Sequence, residues 1–115
     1  MSKNVVYVNG SQYVASKHAK ERVAERLGIN VNHHDIEQVV IELLKSSSEN
    51  KMIFNNTAYI SRLYEKYGTE ERFKFLENKE CIFVCREKSP NFFVAVTCIA
   101  RDTSTKKHFY KKNRY

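Results

Sequence analysis

Residues 92–100 read Phe-Phe-Val-Ala-Val-Thr-Cys-Ile-Ala, and no other stretch of the chain constrains the fold as much. The run is apolar at consecutive positions and rich in aromatic and β-branched residues, so a strand made from it presents apolar groups on both faces. It is expected to be a central strand covered by helices. Upstream, residues 72–76 alternate, Asn78-Lys79 marks a turn, residues 80–86 continue as a strand through Cys-Ile-Phe-Val-Cys, and Ser89-Pro90-Asn91 marks a second turn. Consecutive hairpins of this kind predict antiparallel pairing.

The first half of the chain supplies the cover. Val5-Val6-Tyr7-Val8 is β-like, Asn9-Gly10 is a turn signal, and residues 12–15 form a short returning segment. Ser16 is placed to cap a helix over residues 17–27, and Gly28 stands where a left-handed closing residue is wanted. A second helix opens near Asn32, with Ile36, Val39, Val40, Leu43 and Leu44 spaced as one apolar stripe. Residues 51–54 suggest a short strand. Residues 57–67 fit a helix closed by Gly68, although their aromatics would also suit a strand. The expected architecture is α+β: two N-terminal helices, and a third where 57–67 is helical, packed in two layers on an antiparallel sheet of about four strands. One domain is expected over residues 1–102, followed by a basic, aromatic tail at 103–115.

Composition narrows the function classes. A chain of 115 residues with seven Phe and seven Tyr can bury one core without covalent staples. No apolar run approaches a membrane span and the N-terminus lacks the pattern of a secretory leader, so a cytoplasmic protein with no membrane partner is expected. The three cysteines include no CxxC pair, and Cys81 and Cys85 fall on one strand, too far apart to bridge; they read as buried small hydrophobes in a reducing compartment. No cofactor motif or metal-ligand set is apparent, and His33-His34-Asp35 reads as a helix cap rather than a metal site. Residues 101–115 hold six Lys or Arg against one Asp, whereas residues 1–100 hold 14 against 12 acids. A positive charge so concentrated attracts polyanions, although a solvated, solubilising tail is the plainer account.

The first helix carries the chemistry. Ala19, Val23 and Leu27 recur every fourth residue as a buried edge, and His18, Arg22 and Arg26 form a parallel row about 100° round the axis. Guanidinium groups bind phosphate oxygens through paired donors, and imidazole moves protons near neutral pH. The same residue types also fill ordinary solvated helix faces.

The stretch Ser16-Lys17-His18-Ala19-Lys20-Glu21-Arg22-Val23-Ala24-Glu25-Arg26-Leu27-Gly28-Ile29 resembles the H-x3-R-x3-R helix of the barnase/EndoU/colicin/RelE-like ribonuclease superfamily, most of all its phage RegB-type endoribonucleases. The order of parts is similar too: this helix, a polar link, an apolar helix, then a sheet whose last core strand holds a threonine. The resemblance implies metal-independent RNA cleavage by attack of a 2′-hydroxyl on the adjacent phosphorus. It gives His18 the proton transfer and Arg22 the phosphate, with Arg26 a second phosphate contact or a salt-bridge partner. Thr97 could donate to a phosphate oxygen, although a threonine in a central strand is more often buried and bonded to backbone, and His18, Arg22 and Thr97 are expected to open onto one concave surface. Where RegB-like enzymes place a second histidine, this chain has Asn50-Lys51-Met52.

Arg86 and Arg101, near strand ends, are further candidates for phosphate contact, with ordinary surface charge the alternative for both. In the tail, Lys106, Lys107, Lys111 and Lys112 could follow an RNA backbone while Phe109, Tyr110 and Tyr115 stack on bases; alternatively Phe109 packs a last edge strand on the sheet. His108 is an additional candidate acid. RNA is the expected partner. The alternative is a non-catalytic module that grips RNA or a host protein, such as a phage-encoded inhibitor.

Overall fold

The N-terminal hairpin forms as its turn residues require. Strands β1 (Val6–Val8) and β2 (Ser11–Ala15) pair antiparallel, with Asn9 at φ 50° and Gly10 at φ 84° supplying the two positive-φ positions of a tight turn. Helix α1 (Lys17–Leu27) follows, then α2 (Asp35–Lys45), β3 (Ser48–Glu49), a 3-10 turn (Met52–Asn55), α3 (Thr57–Tyr67), β4 (Phe73–Glu77), β5 (Ile82–Ser89) and β6 (Phe92–Ile99). This computed structural model describes residues 5–30 and 35–101. Asn32, His33 and His34 and the segment 102–115 lie outside the described residues.

The α+β class holds, but the sheet is larger and differently connected than the sequence suggested. It has six strands in the order β1-β2-β6-β5-β4-β3 among the described residues, and it is mixed: β2 runs parallel to β6, while every other pair is antiparallel. The parallel pair joins residues some 80 positions apart, with Gln12 N–H donating to Asn91 O (2.8 Å) and Ser16 N–H to Ala95 O (2.9 Å). It sets Tyr13 opposite Phe93, and their rings stack with centroids 5.2 Å apart. The strand expected at residues 51–54 is instead the 3-10 turn: Asn50 Oδ1 accepts from the backbone N–H groups of Met52 and Ile53, which bends the chain out of the ladder. The paired residues are the preceding Ser48 and Glu49.

The helices also occupy both sides of the sheet rather than one. On one face α1 and α2 bury Ala19, Val23, Val40 and Leu44 against Leu76, Phe83, Cys85, Ala95 and Cys98. On the other, α3 and the 3-10 turn bring Ile53 and Leu63 against Phe73, Phe75, Ile82 and Val84. The aromatics of 57–67 that hinted at a strand are the reason: Tyr64 and Tyr67 pack on Phe73, with centroids 5.9 and 5.7 Å apart, as a helical surface laid on the sheet. With three layers, β5 becomes the strand buried on both faces, since Ile82, Phe83, Val84 and Cys85 are all sealed from solvent. The three cysteines are buried and free, as small core residues.

Ser16 joins the helical layer to the sheet. Its Oγ accepts from Ala19 N–H (3.1 Å), capping α1, and donates to Val96 O (3.3 Å). Ser16→Ala is expected to lower stability by about 1–2 kcal/mol, read from urea unfolding, because the helix cap and the hydrogen bond to the sheet disappear together.

Candidate functional site

Helix α1 starts and stops as its end residues dictate. Gly28 closes it at φ 70°, with Gly28 N–H reaching Glu25 O (3.3 Å) and Ile29 N–H reaching Ala24 O (3.0 Å). The buried edge of Ala19, Val23 and Ala24 fixes the rotation of the helix on the sheet, so the row His18, Arg22, Arg26 falls on an exposed flank. The ion pairs of His18 and Arg22 are local to the helix. His18 Nδ1 is 4.0 Å from Glu21 Oε1, with the imidazole 60% exposed. Arg22 Nη1 is 3.2 Å from Glu25 Oε1, with 47% of the arginine side chain exposed. Lys20, on the other flank, pairs with Glu37 of α2 and ties the two helices together.

The row is not remote from the sheet. Cys98 lies under it on β6, and the thiol is held below the ordinary range, first by a hydrogen bond with Cys81 and then by the positive charge of Arg26 and Arg22. The Cys81 thiol is pushed the other way by the same hydrogen bond and by burial. These two cysteines beside the guanidinium groups are neighbours that spacing along one helix did not reveal.

Thr97 does not join the row. A bulge in β6 sets Val84 opposite Thr97 and the next residue, Cys85, opposite Ala95, so Val96 is the extra residue. At a bulge the extra residue and its successor share a face with their partner. Thr97 therefore falls with Val84 on the α3 side, whereas α1 packs on the other side. The single concave surface expected for His18, Arg22 and Thr97 is not formed by this register. Asn50-Lys51-Met52 lies beyond β3 at the sheet's opposite edge from β1, where Asn50 Nδ2 donates to Glu77 Oε1 (2.6 Å).

The two strand-end arginines have structural partners. Arg86 extends the α3-side row of β5 after Ile82 and Val84; its Nε donates to Glu71 Oε1 (2.7 Å) and its guanidinium lies 5.0 Å from the Tyr67 ring centroid. Arg101 Nε donates to Glu77 Oε2 (2.8 Å). Lys106, Lys107, Lys111 and Lys112 fall outside the described residues.

The Arg86 hydrogen bond holds the Glu71 carboxyl below its usual range. A depressed carboxylate stabilises the fold above its unfolded-state value, and the contribution is lost as pH falls through the folded-state value. Glu71→Gln is expected to flatten the loss of stability below about pH 4, measured as urea midpoints from pH 7 to pH 3. A variant with the wild-type pH profile would exclude this pair as a source of acid sensitivity.

Among the described residues no group of three or more His, Cys, Asp or Glu side chains could hold a metal ion, and no helix is long and apolar enough to cross a membrane. Comparison of the chain with protein-family models, with curated proteins and with solved structures finds no match.

Proposed function

We propose that this chain is an RNA-binding domain whose contact surface is the exposed flank of α1, with His18, Arg22 and Arg26 directed to the sugar-phosphate backbone. The observation that carries the reading is a contrast in commitments. Arg86 and Arg101 are held by carboxylates of the sheet and its flanking turn, while among the described residues Arg22 and His18 form ion pairs with Glu25 and Glu21 of their own helix. An exposed i,i+3 ion pair contributes about 0–1 kcal/mol, so a phosphate offering charge-assisted, paired hydrogen bonds displaces the carboxylate at little cost.

A second reading, endoribonuclease activity, is favoured by one feature. His18 Nδ1 lies 4.0 Å from Glu21 Oε1, so a small rotation of the two side chains would let the carboxylate hold the imidazole as a general base toward a 2′-hydroxyl, with Arg22 one turn along the helix to bear the charge that develops on the phosphate. Thr97 has no part in this version.

The test is a fluorescence-anisotropy titration of labelled single-stranded RNA at 50 and 200 mM salt. Arg22→Ala/Arg26→Ala is expected to weaken binding about tenfold or more, and to reduce the slope of log K against log salt by about 0.7 for each phosphate no longer neutralised. Wild-type affinity indifferent to salt would overturn the RNA reading, and binding of a protein partner alone would replace it. Incubation with RNA in EDTA separates the two versions. Cleavage that drops about 100-fold or more in His18→Ala supports the enzyme, and binding without cleavage leaves the binding domain.

A further inference from the structure

Leu27 at the end of α1, Val39 and Leu43 of α2, and the Lys79-Glu80 turn enclose an open groove of about 560 Å3. Its floor is aliphatic. Its rim carries the carboxylates of Glu42 and Glu80 against the single ammonium of Lys79. A cleft of about 570 Å3 adjoins it and shares Ser46 and Lys79 with it; Arg101, the last described residue, lines that second cleft and is fastened there to Glu77.

We propose that the groove is the docking site of this chain's own residues 102–115, with the rings of Phe109 and Tyr110 on the floor formed by Leu27, Val39 and Leu43. Three observations fit this occupant. The chain leaves Arg101 beside the groove, and the eight residues from there to Phe109 reach about 26 Å when extended, enough to enter it from the shared Ser46–Lys79 wall. The adjacent Phe109 and Tyr110 are, with Tyr115, the aromatic residues of a segment otherwise polar, and one such ring buries about 150–250 Å2. The segment holds five Lys or Arg and one Asp, which complements the two carboxylates on the rim.

The proposal stands apart from the RNA reading, because its test contains no RNA. In the full chain, labelled at methyl groups, nuclear Overhauser effects are expected between the Phe109 and Tyr110 rings and the methyls of Leu27, Val39 and Leu43. They should vanish in Phe109→Ser/Tyr110→Ser, with shifts of the groove methyls, while Ile53 and Leu63 on the opposite face of the sheet stay unchanged as the measure of an intact fold. Glu42→Lys/Glu80→Lys is expected to abolish the same effects. Absence of ring-to-groove signals in the wild type overturns the proposal. So does their appearance only between differently labelled copies, which would make the occupant a second molecule.

Discussion

Phe75→Ala and Phe83→Ala are each expected to destabilise the protein by about 3–5 kcal/mol in urea unfolding, the usual cost of truncating a fully buried phenylalanine. Both rings are inaccessible to solvent, yet they lie on opposite faces of the sheet: Phe83 under α1 and α2, Phe75 under α3 and the 3-10 turn. The pair therefore measures whether the third layer is a true part of the core. In a two-layer domain the Phe75 face would be wet and its truncation nearly free. Because the two clusters share the β4-β5-β6 ladder, both variants should still unfold in one transition. A Phe75→Ala cost below about 1 kcal/mol would remove α3 from the core.

Asn78→Ala is expected to cost about 3 kcal/mol, large for a residue that contributes no apolar surface. Its side chain is buried between α2 and the β4–β5 turn, where Nδ2 donates to Ser47 Oγ (3.1 Å) and Oδ1 accepts from Glu80 N–H (2.8 Å) and Cys81 N–H (3.0 Å). Truncation strands these partners, and a buried group left without a hydrogen bond costs about 1–3 kcal/mol. Asn78→Asp gives the useful contrast: the acceptor for both N–H groups survives while the donor to Ser47 is removed, so it should recover about half of the deficit. Equal costs for the two variants would place the whole effect at the α2 contact.

Local features were legible. The Asn9-Gly10 turn, the Ser16 cap, the Gly28 stop and the apolar stripe of α2 each depend on residues within a few positions of one another, and each forms as expected. The α1 row was legible for the same reason, since helix periodicity alone puts His18, Arg22 and Arg26 on one flank. Thr97 shows where such reasoning stops. Counting by twos from Phe93 and Ala95 sets it on the α1 side; one extra residue, Val96, sends it to the other and brings Cys98 under Arg26 instead. No composition rule marks that bulge, because Val96 is an unexceptional strand residue. Its carbonyl accepts from the Ser16 hydroxyl, a hydrogen bond across 80 positions.

The chain's own letters were enough to specify an α+β domain, the ends of α1, its hairpins and a cationic face on α1, because capping, turn geometry and periodicity are short-range effects. The fold alone decided that β2 lies parallel to β6, that α3 covers the far side of the sheet, and that Arg86 and Arg101 serve carboxylates. Those outcomes come from burying the two faces of one sheet at once, a condition met only when residues far apart in sequence pack together.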